Sequence, residues 1–387
     1  MIKHSLSFVT LVIYLCTQAL FAQYVQPINF GSSQSFEVLT WNTEWFPKNG
    51  YKSVNYLTEF VDELDADLIA FQEIDDIGAF NQVANNLSKY NAITYSSDFA
   101  GLAFLYNANV IQVLDVYEIY TSNQYWQAFP RAPLILKIDY LGEEIYIINN
   151  HFKCCGDGNL NQNDNNDEEN RRLQASTLID QYISGNLMGK KVILLGDLND
   201  VLTDAPANNV FAPFLNNANL YLFTDLAIAN GSSSQWSYPN WPSHLDHIAI
   251  TQPLFSSFQS PQANCTTLLL ENYLGNGWQE YDQNLSDHRP VALSLPNASL
   301  GIKEPKIESK IIVSPNPTQD STKIEWSSNL LLKNIDLLDI NGNLLKSYTP
   351  KHKANTLQVN FSSFAAGLYF LRFRGLKNLT IKKLIIK

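Results

Sequence analysis

The residues of this chain whose types suit chemistry stand in short polar runs: Asn42, Glu73, His151, Asp197-Leu198-Asn199, Asp246 and Asp287-His288. Each follows an apolar run or lies in a short polar turn. Their carboxylate and amide oxygens suit a hard cation such as Mg²⁺, Mn²⁺ or Ca²⁺, whereas Cys154, Cys155 and Cys265 do not make a structural zinc set. Two imidazoles and several carboxylates around such a cation fit attack of activated water on a phosphoryl centre. No one of these signals is specific by itself. Asp197 or Asn199 alone reads equally well as a helix cap or an Asx-turn.

Such a set works only if separate elements bring its members together. The run Phe36–Thr40 is β-like and leads into Trp41-Asn42-Thr43-Glu44, after which Val54, Leu57, Val61 and Leu64 recur with helical spacing. Asp67–Phe71 is a compact apolar strand ending in Gln72-Glu73. Further buried-strand runs are Ala103–Tyr106, Leu134–Ile138, Ile145–Ile148, Val192–Leu195 and Ile248–Thr251, and Arg171–Ile183 reads as a helix. Strands interleaved with helices predict a layered α/β domain. Glu73, His151, Asp197 and Asn199 lie just past strand ends, so a site along one sheet edge is expected.

The texture then changes. Asn297–Lys310 mixes Asn, Ser, Gly, Lys and Pro without apolar periodicity and reads as a linker. Beyond it come short β runs at Lys323–Trp326, Ile335–Ile340, Leu344–Tyr348, Leu357–Phe361, Leu368–Phe373 and Leu379–Ile386. Asn341-Gly342 between two of them predicts a type I′ hairpin. These runs predict a small all-β sandwich without a catalytic set. Charge divides at the same place: residues 23–300 carry 11 Lys and Arg against 31 Asp and Glu, and residues 301–387 carry 14 against 6. Two modules with different jobs are expected. An acidic body argues against tight non-specific binding of nucleic acid, but not against a nucleic-acid enzyme whose bound cations supply positive charge.

Lys3 and His4 precede a largely apolar run, Phe8–Phe21, that ends in Leu20-Phe21-Ala22. This reads as a secretory signal cleaved after Ala22, too short for a membrane span. No integral membrane segment is expected after cleavage. Three cysteines then remain, and an odd count leaves open either one bridge from Cys265 to the Cys154-Cys155 pair or unpaired thiols. The expected organisation is a signal peptide at 1–22, a catalytic domain at 23–298, a linker at 299–310 and a β module at 311–387.

In order, Thr40-Trp41-Asn42-Thr43-Glu44, Phe71-Gln72-Glu73, Asn150-His151-Phe152-Lys153, Leu195-Gly196-Asp197-Leu198-Asn199, Leu245-Asp246-His247-Ile248 and Ser286-Asp287-His288-Arg289-Pro290 resemble the motifs of the endonuclease/exonuclease/phosphatase superfamily. The resemblance covers about residues 35–295. It implies a deoxyribonuclease I-like α/β sandwich of two stacked sheets flanked by helices. It also implies that Glu73 is the principal metal ligand, with Asn42 close by and Asp287 supporting, Mg²⁺ being the expected ion. Asp197 would orient or deprotonate the attacking water, and Asn199 would hold phosphate or nucleophile in line. Asp246 would fix the tautomer of His288 and favour its charged form. His288 and His151 would stabilise developing charge or protonate the leaving oxygen. Arg131, in Phe129-Pro130-Arg131-Ala132-Pro133, matches a loop arginine placed near substrate phosphate, with a solvated arginine as the alternative. Trp45 stands where secreted relatives often carry Asn, so Glu44 is either a ligand or structural. His244 and His247 read as structural or rim residues.

The segment from His151 through Lys153-Cys154-Cys155 to Gly158, with Arg171-Arg172 further on, resembles secreted bacterial nucleases of this superfamily; the resemblance favours nucleic acid over lipid as substrate and implies that Lys153 is a substrate-binding residue. Tyr125-Trp126-Gln127-Ala128-Phe129 and Trp236-Ser237-Tyr238-Pro239-Asn240-Trp241 would either rim a cleft and stack bases or serve as packing. Val313-Ser314-Pro315-Asn316-Pro317, Leu338-Asp339-Ile340-Asn341-Gly342, Ala366-Gly367-Leu368-Tyr369 and the terminal Lys382–Lys387 resemble the type A sorting domain of type IX secretion in Bacteroidetes. The resemblance implies export through the periplasm by that machinery, then release or surface attachment. The combined expectation is a monomeric, exported, metal-dependent nuclease with little sequence preference. Its rivals are a phospholipid or small-molecule phosphoesterase and a catalytically silent surface-binding protein.

Overall fold

Along the first long strand Val38 faces one way and Leu39 and Trp41 the other; along its neighbour Leu68 and Ala70 oppose Ile69 and Phe71, and all are buried. A strand apolar on both faces must be covered on both faces. The computed structural model, which describes residues 25–28, 30–94, 100–297, 311–326, 332–340, 342–351, 355–375 and 379–387, shows how. The expected signal peptide, most of the expected linker and Asn341 lie outside those residues.

The chain divides into two compact units, residues 1–298 and 299–387. In the first, the strands are β1 (Ser35–Phe46), β2 (Leu68–Ile74), β3 (Tyr90–Ile93), β4 (Gly101–Asn107), β5 (Ile111–Glu118), β6 (Leu134–Tyr140), β7 (Glu143–His151), β8 (Lys191–Asp197), β9 (Tyr221–Phe223), β10 (Asp246–Thr251), β11 (Asn264–Thr267) and β12 (Val291–Pro296). They form two six-stranded mixed sheets, ordered β11-β12-β1-β2-β4-β3 and β5-β6-β7-β8-β10-β9. Val38, Leu68, Ala70 and Phe104 of the first sheet meet Leu136, Ile147, Ile193 and Ile248 of the second in the central core. Outside the first sheet lie α1 (Tyr51–Leu64), α2 (Ile77–Asn86) and the short α4 (Gly277–Asn284), which bury Leu57, Phe60, Phe80 and Tyr281 against Trp41 and Phe71. Outside the second, α3 (Glu168–Asn186) buries Ala175, Ile179 and Ile183 against Ile148 and Leu194. This is the expected two-sheet α/β sandwich.

The expected strands and both expected helices of this unit are present, most of them longer at their ends. β3, β5 and β11 had no comparable apolar run because they lie at or near sheet edges; β5 exposes Gln112, Leu114 and Asp115. The second unit has a sheet of β13 (Ile312–Ser314), β14 (Ser321–Glu325) and β17 (Thr356–Asn360), and a sheet ordered β16 (Leu344–Tyr348), β15 (Leu332–Leu338), β18 (Gly367–Gly375), β19 (Leu379–Ile386). Both are antiparallel and bury Ile324, Trp326, Leu337, Phe361 and Phe373. No helix among the described residues is long and apolar enough to cross a membrane.

Two fully buried amides join the sheets of the first unit. Gln72 Nε2 donates to Asn149 Oδ1 (2.8 Å), and Asn149 Nδ2 donates to the Phe71 and Ala103 carbonyls (3.0 and 3.2 Å). Removing one partner of a buried hydrogen bond leaves the other desolvated and unpaired, at about 1–3 kcal/mol. Gln72→Leu and Asn149→Leu are each expected to lower unfolding free energy by about 2 kcal/mol or more, and the double variant by less than their sum. Urea unfolding of the four proteins checks this; strictly additive losses would remove the coupling.

Candidate active site

The strands deliver their polar ends to one edge. β1 runs parallel to β2, and β7 parallel to β8, so the carboxyl ends of each pair lie together. β10 is antiparallel to β8, with Asp246 opposite Asp197, and β12 is antiparallel to β1, so the residues preceding β12 return to the same edge. Here the backbone leaves regular geometry. β1 loses register with β2 between Asn42 and Phe46, and β2 with β4 between Phe71 and Ile74. Glu44, Trp45, Glu73 and Asn199 have positive φ of 42°, 53°, 63° and 54°. Such conformations cost non-glycine residues about 1 kcal/mol or more each, and bulges re-aim side chains. In β8, a Cβ on Gly196 (φ 146°) would lie 2.0 Å from the Asn150 carbonyl oxygen, so only glycine permits that approach to β7 just before Asp197.

Asn42 sits at the centre. Its Nδ2 donates to Glu73 Oε1 (3.1 Å) and Asp197 Oδ2 (2.9 Å), one carboxylate from each sheet. Its Oδ1 accepts the Glu44 N–H (2.9 Å), which fixes the amide's orientation. Asn42 therefore presents hydrogens, not an oxygen, to the two carboxylates in this structure. The second oxygen of Glu73 accepts the Trp45 N–H (3.1 Å). Glu44 accepts the Asp287 N–H (2.9 Å) and pairs with Lys48, which also reaches Asp282 (3.1 Å).

His288 Nδ1 lies 2.7 Å from Asp246 Oδ2, and its Nε2 faces Asp197 and Asp287 at 3.9 Å each. The ring is set by its own strand ends: Ser286 Oγ accepts the His288 N–H (2.9 Å) and donates to the Asn42 carbonyl (2.7 Å), while Tyr281 donates to the His288 carbonyl (2.6 Å) and accepts from Trp41 Nε1 (3.0 Å). Tyr238 packs on the ring at 4.8 Å. His151 Nε2 lies 3.6 Å from Asp197 and 3.7 Å from Glu73, beyond hydrogen-bond length.

The protonation states separate. Burial pushes His288 down, but the Asp246 and Asp197 carboxylates outweigh it and raise its pKa to about 10, so it is charged at neutral pH. Burial, with the charges of Arg131 and His288, holds His151 well below the usual histidine range. His151 is therefore held neutral, able to donate one hydrogen bond. Burial raises Asp197 to about 7, opposed by His288 and the Asn42 bond and assisted by Asp246 and Glu73. Burial likewise raises Asp287 and Glu44. Glu44, Glu73, Asp197, Asp246 and Asp287 thus face mainly Lys48 and charged His288, a surplus of oxygen-borne negative charge that suits a hard divalent cation. Asp197, Asp246 and His288 also place one ligand atom each within 4.8 Å of one another.

Among the expected site residues, Asn42, Glu73, His151, Asp197, Asp246, Asp287 and His288 meet in this cluster. Asn199 adjoins it, with its N–H on Asp197 Oδ1 (3.1 Å) and Nδ2 on the Phe152 carbonyl (3.2 Å). Arg131 donates to the Ala100 carbonyl (3.0 Å) and is near enough for its charge to act on His151. Lys153 is not brought in: its ammonium bonds the Cys154 carbonyl (3.0 Å). Lys48, Ser286 and Tyr281 carried no site expectation from sequence beyond the Ser-Asp-His run at Ser286, whereas Tyr238 belongs to the aromatic run expected either to rim a cleft or to pack. His244 and His247 are bonded apart from this cluster. Both reach Asp225 Oδ2 (3.1 and 2.6 Å), and His247 Nε2 bonds the Asp200 carbonyl (2.8 Å), so the pair braces the loop after β8.

Residues 312–387 match the model of the secretion system C-terminal sorting domain, which marks the chain for type IX secretion, released or surface-attached. No curated protein sequence matches the chain. Similar solved structures include D. rerio TDP2 complexed with single strand DNA product (15% identity, TM-score 0.48, covering 68% of this chain and 99% of that one). Others are the endonuclease/exonuclease/phosphatase from Bacteroides vulgatus (14%, 0.47, 68% and 99%) and the human Nocturnin catalytic domain with bound sulfate anion (15%, 0.46, 67% and 93%). Residues 39–288, well over half of the chain, match the model of the Endonuclease/Exonuclease/phosphatase family, and the chain belongs to that family.

Proposed function

We propose that this phosphoesterase is an exported, Mg²⁺-dependent nuclease with little sequence preference. The observation that carries the hydrolytic part is the bridge from Glu73 through Asn42 to Asp197, with charged His288 and neutral His151 on either hand. Glu73 and Asp287 would hold a divalent cation, which supplies Lewis-acid polarisation of a phosphoryl oxygen. Asp197 accepts the proton of the attacking water, and Asn199 keeps water and phosphate in line. His288, kept charged by Asp246, stabilises negative charge as it develops and gives a proton to the leaving oxygen. His151 donates a hydrogen bond to a phosphate oxygen, and Arg131 attracts the substrate's phosphate. Tyr238, half-buried over His288, offers an aromatic face beside the phosphate position, where a base can stack.

A panel of duplex DNA, single strands, RNA, sphingomyelin and phosphate monoesters, with Mg²⁺ or with EDTA, tests the reading. Release of acid-soluble nucleotides that EDTA abolishes and Mg²⁺ restores is expected. Turnover confined to sphingomyelin or monoesters would replace the substrate class, and full activity in metal-free protein would remove the cation.

Asp197 must be unprotonated to accept a proton, and its pKa is about 7, so kcat/KM should rise as pH passes through 7. His288 must stay protonated, with a pKa of about 10, so the rate should fall as pH approaches 10. Asp197→Asn and His288→Ala should each lower kcat by about a hundredfold or more, Asp197→Asn also flattening the ascending limb. A folded Asp197→Asn protein with normal kcat would remove Asp197 from the mechanism.

We assign residues 1–22 to a signal peptide and 311–387 to sorting. Residues 23–300 alone should fold and turn over substrate, because every proposed catalytic group lies between Asn42 and His288. In the native host, deletion of 311–387 should leave active enzyme in the cell envelope. Normal appearance in the medium would overturn the sorting role.

A further inference from the structure

Side chains of neighbouring residues in extended chain point to opposite faces, so adjacent cysteines do not ordinarily touch. Cys154 and Cys155 do: their sulfurs lie 2.9 Å apart, and both residues are exposed. The cause is a backbone turned out of the extended form. Cys155 has a positive φ of 74° and Gly156 of 112°. That turn is held from below by a buried guanidinium. Arg172 Nη1 donates to the carbonyls of both Lys153 (2.8 Å) and Cys155 (2.7 Å), while its Nε donates to Asp200 (2.8 Å). Glu169 pairs with Arg172 (3.2 Å) and accepts the Gly158 N–H (2.7 Å). A Cβ on Gly156 would lie 2.2 Å from the Glu169 carboxylate, so the segment is pressed onto this platform with its thiols outward.

Cys265 takes no part. It is half-buried on edge strand β11, packed against the core between the sheets and near Thr224 (3.4 Å), and among the described residues neither Cys154 nor Cys155 bonds it. The bridge from Cys265 left open by the sequence is absent.

We propose that Cys154 and Cys155 are a redox modification site that closes to a vicinal disulfide once the chain is exported. Compartments outside the cytoplasm favour disulfides, and these thiols alone are both accessible and in contact. The oxidant is a disulfide donor. A thiolate of the pair attacks it, forming a mixed disulfide, and the second thiol displaces the donor's remaining half. One S–S bond forms in the protein and one breaks in the donor. Two electrons and two protons pass to the donor, which leaves as two thiols. The ring spans only two residues, is exposed and carries left-handed backbone, features of labile disulfides and not of structural ones. It would stiffen the segment that leads from His151 through Lys153, with Arg172 as its anchor.

The test uses purified residues 23–387, which lack Cys16, and needs no substrate, so its outcome is independent of the proposed nuclease activity. The protein is equilibrated with oxidised glutathione, then denatured and alkylated. Wild type is expected to take up one alkyl group, on Cys265, and to yield one peptide containing both neighbouring cysteines, lighter by two hydrogens. Mild dithiothreitol should restore three alkylations. Cys154→Ser and Cys155→Ser should each instead retain one glutathione at the remaining cysteine. Three alkylations in the oxidised wild type, a stable mixed disulfide in the wild type, or a disulfide-linked dimer would each overturn the proposal.

Discussion

The site depends on how the two sheets are registered across the core, and that registration rests on the contact between Gln72 and Asn149. Both amides are fully buried, so the low-dielectric core strengthens their mutual bond and makes its loss costly. Gln72 immediately precedes Glu73, and Asn149 stands two residues before His151. Locking this pair therefore sets the distance between the polar ends of β2 and β7. A shift by one residue would turn the set toward the core and bury unpaired charge.

The same edge concentrates conformational cost. Glu44, Trp45, Glu73 and Asn199 carry positive φ without being glycine, and both β1 and β2 bulge between them. The hydrogen bonds within the cluster offset that cost: Glu73 accepts from Asn42 and Trp45, Asn42 accepts from Glu44, and Asp197 accepts from Asn199. Strain and electrostatic crowding thus occur together. Burial and neighbouring carboxylates raise the proton affinity of Asp197, and Asp246 and Asp197 raise that of His288, while burial beside Arg131 and His288 lowers that of His151. Neighbouring groups acquire distinct protonation states, as proton-transfer chemistry needs.

The two units divide the labour along lines of composition. The acidic unit carries the site and balances its surplus carboxylates with few cations. The basic unit is built of antiparallel strands around a small apolar core and pairs its buried Asp336 with Arg372 at 2.9 and 3.1 Å. It matches a sorting domain.

Much of this was legible in the sequence because it is local. Alternation from Val38 to Trp41 and from Leu68 to Phe71 specifies strands covered on both faces, and the spacing of Val54, Leu57, Val61 and Leu64 specifies a helix. The motifs around Glu73, His151, Asp197 and His288 name the chemistry, and the shift in charge after residue 300 separates the modules. What depends on residues far apart in the chain was decided by tertiary structure. The orientation of the Asn42 amide follows from the Glu44 N–H and two carboxylates on different sheets. The neutrality of His151 follows from burial beside the charges of Arg131 and His288. Lys153 turns its ammonium to the Cys154 carbonyl, and Arg172, near the start of α3, holds the Lys153 and Cys155 carbonyls. Residue type sets what a group can do, but its proton, its partner and its direction depend on the dielectric and the neighbours that packing supplies.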